Sequence, residues 1–140
     1  MFVLETLLQQ KVAEQIEKAN QYRDINQEKY FEVLEAAWAL YPIPKENYAD
    51  AYHLAKEIFS RHLQNREINQ AERWLHEMIR NSNTLQHHEC DCQFNEAKFL
   101  YESGDQEQAL ILFRKLVRRF GMAYLETEGT QYKEFYLKYK

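Results

Sequence analysis

Apolar side chains recur every three or four residues along most of this 140-residue chain, the spacing that puts them on one face of an α-helix. The pattern predicts six helices in three consecutive hairpins, followed by a shorter C-terminal helix. The predicted hairpins cover residues 2–41, 45–82 and 84–120, and the final helix covers 122–139. The three glycines and two prolines fall between apolar-periodic stretches, whereas a sheet protein needs turn residues at shorter intervals. We therefore expect one all-α domain over residues 1–140.

Helix start and stop signals support the predicted boundaries of the first two helices. The first helix is predicted from about Phe2 to Asn20. Asp24 or Asn26 then supplies an N-cap for the second helix, because short polar side chains accept hydrogen bonds from the first free amides. Pro42 ends that helix, since proline disfavours helical geometry in the residue before it.

The third hairpin carries the most informative pattern. One apolar stripe includes Ala97 and Leu100 and leads to Gly104, and a second stripe begins at Ala109 and continues at Phe113. Glycine readily adopts the left-handed conformation that often ends a helix. The small residues at 97 and 109 let two helices approach closely, and Phe113 is expected to fill the space between them.

This pattern resembles a tetratricopeptide-type helical hairpin. Tyr30, Ala71 and Ala109 take equivalent positions in the second helix of each hairpin, with separations of 41 and 38 residues. The hairpins are therefore longer than the repeat of about 34 residues that is usual in that family. The resemblance implies three irregular antiparallel hairpins in a short right-handed stack, whose first helices line a groove that binds other proteins.

The final predicted helix carries an aromatic stripe formed by Tyr132, Phe135, Tyr136 and Tyr139. We expect it to be a capping helix that covers the open end of the stack. The alternative is a partner-contacting patch, since tyrosine is common at binding hot spots. The segment 120–137 also resembles the tails of small immunity proteins encoded beside bacterial toxins, which implies a toxin inhibitor.

Charge is distributed unevenly along the chain. Residues 1–105 carry 18 acidic and 11 basic side chains, whereas residues 106–140 carry 4 and 7. An acidic body with a basic end favours a basic protein partner. One short basic cluster in an acidic chain is not typical of nucleic-acid binding. No apolar run approaches the roughly 20 residues that cross a bilayer, so we expect no membrane association.

The stretch from His87 to Cys92 is the densest group of reactive side chains. On a continuous helix, His88 and Cys92 lie four residues apart on one face, and zinc accepts imidazole and thiolate ligands. Cys90 and Cys92 point in different directions on such a helix, and the sequence has no other cysteine. We therefore predict no metal site, and His88 and Cys92 are the residues that a metal-responsive regulator would use.

Motifs for catalysis are missing from the sequence. It has no Gly-x-Ser-x-Gly elbow, phosphate-binding glycine loop or dinucleotide fingerprint. We expect neither enzyme activity nor a cofactor. Glu5 near the start and two unpaired cysteines favour the cytoplasm over a secreted setting.

These features favour non-catalytic protein binding. The leading hypothesis is a bacterial immunity or inhibitor protein that neutralises a cognate, basic toxin. An adaptor or chaperone that holds a peptide is the alternative, and a metal- or redox-responsive regulator is the second alternative. A monomer and a weak homodimer are both compatible with the sequence. The predicted partner-binding residues are Glu28, Glu32, Glu35, Glu46, Asp50, Tyr52, Glu57, Lys98 and Tyr101.

Overall fold

The computed structural model describes residues 3–128 and 130–140. Within these ranges the chain forms eight α-helices and one 3-10 turn, without a β-strand, so the all-α prediction is confirmed. The helices are α1 (Thr6–Asn20), α2 (Gln27–Ala39), α3 (Ala49–Gln64), α4 (Ile68–Leu85), α5 (Glu89–Glu102), α6 (Gln106–Phe120), α7 (Ala123–Thr127) and α8 (Thr130–Tyr139), and the 3-10 turn is Lys45–Asn47. None of the described helices is both long and apolar enough to span a membrane. Phe2, the predicted start of the first helix, lies outside the described residues.

Two helix starts use side-chain caps. Asn26 precedes α2, and its Oδ1 accepts a hydrogen bond from the Lys29 amide at 3.0 Å. Asp105 precedes α6, and its Oδ1 accepts from the Gln108 amide at 3.3 Å. Gly104 has φ +99°, so the left-handed turn predicted between α5 and α6 is confirmed.

The turn between α3 and α4 is also left-handed, although it contains no glycine. Arg66 has φ +63° there. Its guanidinium Nη1 lies 2.5 Å from Glu102 Oε2 of α5. The next amide, of Glu67, donates to the carbonyl of His62 at 2.9 Å. The turn therefore places Glu67 immediately before the start of α4.

Consecutive helices pack in pairs: α1 with α2, α3 with α4, and α5 with α6. Neighbouring pairs meet where α2 contacts α3 and where α4 contacts α5. Tyr30, Ala71 and Ala109, which the sequence assigns to equivalent positions, are all fully buried. One core is formed mainly by α1 to α4 and contains the edge-to-face contact of Trp38 with Trp74, at 5.2 Å between ring centroids. A second core joins α5 and α6 to α7 and α8.

The C-terminal segment has two helices, where the sequence predicts one over residues 122–139. α7 and α8 lie on either side of position 129, which is outside the described residues. Phe135 of α8 is buried, with its ring centroid 4.8 Å from that of Tyr101 and 6.3 Å from that of Phe113. Tyr139 is 48% exposed. The centre of the aromatic stripe therefore covers the α5–α6 pair, and its end faces solvent.

Candidate functional site

Four carboxylates line an open groove of about 840 Å³ between α2 and α4. Glu28, Glu32 and Glu35 come from α2, where spacings of four and three residues place them along one face. Glu67 comes from the turn before α4. The other lining residues are Gln27, Phe31, His62, Asn65, Gln70 and Arg73. The structure thus brings together three of the predicted partner-binding residues, and we call this feature the α2–α4 groove.

Negative charge in the α2–α4 groove exceeds what nearby cations neutralise. Arg73 is the one basic residue among the described lining residues, and its Nη1 lies 3.5 Å from Glu35 Oε1. Lys29 Nζ lies 3.5 Å from Glu32 Oε1 on the same helix. Glu28 is exposed and has no ion pair within the described ranges. Solvent screens long, exposed pairs of this kind, so the groove stays attractive to cations.

Two stacked rings contribute to the wall of the α2–α4 groove. Phe31 and His62 lie parallel, with 3.7 Å between ring centroids and 2° between planes. His62 is only 5% exposed, and its Nδ1 lies 3.2 Å from Glu67 Oε1. Because an ionised carboxylate only accepts hydrogen bonds, Nδ1 carries a hydrogen and donates it to Glu67. Nε2 of the same ring is buried and has no hydrogen-bond partner in the described part of the chain.

A second opening, the α1–α3 cleft, has a volume of about 660 Å³. Asp50 and Glu57, both predicted to bind a partner, line it from α3. Tyr30 Oη donates to Glu57 Oε1 at 2.5 Å, and burial together with this carboxylate raises the pKa of Tyr30. The apolar lining residues are Leu4, Val12, Ala13, Ile16, Leu34 and Leu54. An apolar lining with a few polar groups is typical of clefts that hold a small or extended ligand.

Tyr52 does not line a groove, contrary to the sequence-based prediction. It is 1% exposed, and its hydroxyl donates to the Asp91 carboxylate. The same carboxylate accepts from Lys56 Nζ at 2.8 Å and from Tyr124 Oη at 2.9 Å. Burial opposes ionisation of Asp91, but these three donors outweigh it and hold the pKa of Asp91 below its usual value. Tyr52 therefore contributes to a polar contact within the fold.

Sequence reasoning missed the role of Asp91, although it placed this residue in the reactive stretch. The three donors come from positions that are 39, 35 and 33 residues away in the chain. Helical periodicity reports only which residues share a face of one helix, so it carries no signal for a contact between three elements.

The C-terminal helices cover the other predicted residues of α5. Lys98 Nζ lies 3.1 Å from Glu128 Oε2 and 5.7 Å from the ring centroid of Tyr132. Tyr101 packs edge-on against Tyr132, at 5.6 Å between centroids. Lys98 borders a smaller cleft of about 340 Å³, whereas Glu46 is half-buried in the 3-10 turn. The nine predicted residues therefore do not form one continuous surface.

The continuous helix assumed from His88 to Cys92 does not form, because α5 begins at Glu89 and His88 lies outside it. His88 precedes α5 with φ +55°, and its ring stacks on Tyr52 at 4.5 Å. Burial raises the pKa of the Cys92 thiol to about 12 and also raises that of Cys90. Both thiols are thus protonated at neutral pH, which makes them poor ligands and nucleophiles. Across residues 3–128 and 130–140, no three His, Cys, Asp or Glu side chains are placed to hold a metal ion.

Comparisons with known proteins add no family to this picture. No protein-family model, curated protein or solved structure matches the chain. Functional inference therefore depends on the geometry and charge of this chain alone.

Proposed function

We propose that this protein binds another protein without catalysis, and that it acts as an inhibitor or immunity protein that neutralises a basic toxin. The observation that carries the proposal is the α2–α4 groove, where Glu28, Glu32, Glu35 and Glu67 meet around one lining arginine. Opposite charge on a partner accelerates encounter and fixes the orientation of the complex. The acidic excess of residues 1–105 extends this attraction beyond the groove.

The proposed scaffold is a short right-handed, tetratricopeptide-like stack of three irregular hairpins with α8 as its aromatic cap. The sequential pairing of helices supports it, as does the burial of Tyr30, Ala71 and Ala109 at equivalent positions. The packing of Phe135 onto the α5–α6 pair supports the capping role of α8. Stacked helical pairs present extended grooved surfaces, and such surfaces are suited to protein partners.

The α1–α3 cleft favours a second candidate function, an adaptor that holds a peptide. Its apolar lining can accept side chains of an extended segment, and Asp50 and Glu57 at its α3 side can orient that segment. An adaptor of this kind binds through the cleft, so changes in the α2–α4 groove leave its affinity nearly unchanged. The two candidates therefore differ in which opening controls binding.

The proposed setting is the cytoplasm of a bacterial cell. Cys90 and Cys92 are free thiols, the usual state of cysteines in a reducing compartment. The thiols with raised pKa values give little support to the redox-regulator hypothesis, because the thiolate is the reactive form.

The experiment that tests the proposed function is affinity capture from the native source with immobilised protein, followed by an activity assay on what is retained. We expect one basic protein in near-equimolar amount, whose toxic or enzymatic activity falls on addition of this chain. Retention of numerous weakly bound proteins would instead support the adaptor. Failure to retain any protein would contradict both candidates.

A further inference from the structure

We propose that three histidines form a proton-operated latch between the second and third helical pairs: uptake of protons by His53, His87 and His88 separates α5 from α3 while the rest of each core stays folded. His53 belongs to α3, and the other two lie in the connection between α4 and α5. The inference goes beyond the proposed function and does not rest on it, because it concerns how two parts of the fold are held together rather than what the α2–α4 groove binds.

The three imidazole rings are crowded together. The ring centroid of His88 lies 4.1 Å from that of His87 and 5.0 Å from that of His53. His88 also stacks on Tyr52 of α3, with 10° between the ring planes. Charges of the same sign at such separations oppose each other, so this packing is favourable only while at most one of the rings is charged. The contact between α3 and the α4–α5 connection therefore depends on protonation.

The connection that carries His87 and His88 is held against α4 by hydrogen bonds. Asn81 Nδ2 donates to the Tyr48 carbonyl at 2.8 Å, which directs Asn81 Oδ1 toward His87 Nε2, also at 2.8 Å. His87 Nε2 therefore carries the hydrogen of the neutral ring, and an added proton goes to Nδ1. Gln86 and His88 have φ +53° and +55°, a conformation that is costly for residues with a side chain. Release of this connection recovers that cost and so favours opening.

The charged groups that act on the cluster are Lys56 of α3 and Asp91 of α5. Burial lowers the pKa of His88, and the two neighbouring histidines lower it further. Lys56 lowers the pKa of His88 as well, whereas Asp91 raises it. Burial and then His53 lower the pKa of His87. The closed contact is therefore complete above pH 6.5 and is lost as the pH falls toward the lower pKa values of the closed state.

The two cores meet at this junction. One core is formed mainly by α1 to α4 and the other by α5 to α8. Opening breaks the two hydrogen bonds that Asp91 accepts from α3. Tyr124 packs with the second core and keeps its own bond to Asp91. Cys92 and Phe99 of α5 leave the first core on opening, and Cys92, which is 3% exposed in the closed state, becomes accessible to reagents.

The test measures access to the Cys92 thiol in a Cys90→Ser variant of the full-length protein. A dipyridyl disulfide, whose good leaving group keeps it reactive at acidic pH, is applied to the folded protein and to the urea-unfolded chain. The ratio of the two rates at each pH removes the intrinsic effect of pH on the thiol. We expect this ratio to rise at least about tenfold between roughly pH 7.5 and 5.5, because each proton taken up on opening contributes up to about tenfold per pH unit. An unchanged ratio would overturn the proposal.

Local opening and global unfolding are separated in two ways. Far-UV circular dichroism and the fluorescence of Trp38 and Trp74, which pack in the first core, should stay constant over the same pH range. Low concentrations of urea should leave the Cys92 rate nearly unchanged, because opening the junction exposes little surface, whereas global unfolding responds steeply to urea. A Cys92 rate that follows global unfolding in urea would overturn the proposal.

Variants assign the response to the histidine cluster. In the Cys90→Ser background, His53→Gln changes an exposed position, and His88→Asn introduces a residue that tolerates left-handed backbone geometry. Each should reduce the rise of the rate ratio at least about threefold, because fewer protons are taken up on opening. His76→Gln, at an exposed position of α4 outside the cluster, is the control and should leave the rise unchanged. A full rise in both cluster variants would overturn the proposal.

Discussion

Tyr52 and Asp91 are joined by a hydrogen bond from the tyrosine hydroxyl to the carboxylate, although they are 39 residues apart in the chain. Tyr52 belongs to α3 and Asp91 to α5, so the bond links the second and third helical pairs. Lys56 and Tyr124 donate to the same carboxylate and extend the contact to α7. The convergence of three donors fixes the orientation of α5 relative to α3, because a partly buried carboxylate is stable only when its acceptors are used.

Removal of the Asp91 carboxylate should destabilise the fold. Asp91→Ala leaves the Tyr52 hydroxyl and the Lys56 ammonium without their shared acceptor, so we expect a loss of about 2–4 kcal/mol in the free energy of unfolding. Tyr52→Phe removes one donor and should cost about 1 kcal/mol. Asp24→Ala, at an exposed position, is the control and should change stability by less than about 0.5 kcal/mol. Urea denaturation measures all three, and equal losses for Asp91→Ala and Asp24→Ala would refute the structural role of Asp91.

Stability should decline as the pH falls below 6.5. Burial lowers the pKa of His87 and His88 below the ordinary 6.5, and the charges of neighbouring histidines, His53 included, lower them further. Lys56 also opposes protonation of His88, whereas Asp91 favours it. Below pH 6.5 the unfolded chain therefore binds more protons at these sites than the folded chain does. Stability is complete above 6.5 and is lost toward the lower folded pKa values.

A second decline is expected at lower pH from Asp91. Its pKa lies below the ordinary 3.8, so the unfolded state binds the proton first and folding loses stability as the pH falls below 3.8. Unfolding curves across this range test both steps. His88→Gln should flatten the upper step, and the exposed His76→Gln should leave it unchanged. A flat profile between pH 7 and the onset of Asp91 protonation would contradict the histidine prediction.

Substitution of Gly104 tests the turn between α5 and α6. Its φ of +99° is strained for residues with a side chain, yet an added Cβ would meet no atom within 4 Å. The cost of Gly104→Ala is therefore confined to the backbone and should be about 1–2 kcal/mol. Gly104→Asn should cost less, because asparagine tolerates left-handed geometry. Thermal unfolding of the two variants measures the difference, and an asparagine variant less stable than the alanine variant would refute this explanation.

The two thiols should react slowly in the folded protein. Burial raises the pKa of Cys92 to about 12 and also raises that of Cys90, so little thiolate exists near neutral pH. We expect a disulfide reagent to modify both thiols at least about tenfold more slowly than in the unfolded chain. Cys92 should be slower than the half-exposed Cys90. The single variants Cys90→Ser and Cys92→Ser assign the rates, and rapid modification of native Cys92 would revive the redox-regulator hypothesis.

Local patterns predicted the helices well, since helix formation here depends on neighbouring residues. The caps at Asn26 and Asp105 and the turn at Gly104 follow from short-range hydrogen bonds and backbone sterics. The stripe Glu28, Glu32 and Glu35 was also predictable, because it lies on one helix.

Residues whose surroundings depend on distant segments could not be placed from the sequence. Helical spacing alone allows Tyr52 to be either a surface residue or a core residue. Its buried position depends on α5, which brings the Asp91 carboxylate against its hydroxyl. Lys98 and Tyr101 are covered because α7 and α8 fold back over α5. His88 leaves the helix through a left-handed backbone conformation that no glycine or proline signals. The position of Glu67 opposite α2 similarly depends on the left-handed backbone conformation of Arg66.

The central claim is that the α2–α4 groove holds a basic protein partner, and one comparison tests it most directly. Wild-type protein, the E28K/E32K/E35K variant and the E14K/E126K/E134K control are immobilised in equal amounts and exposed to the same native extract. The two variants carry the same net charge, so general electrostatics cannot separate them. The account predicts one basic protein retained by the wild type and the control, and at least about tenfold less on the groove variant. Equal retention by the groove variant and the control would contradict it.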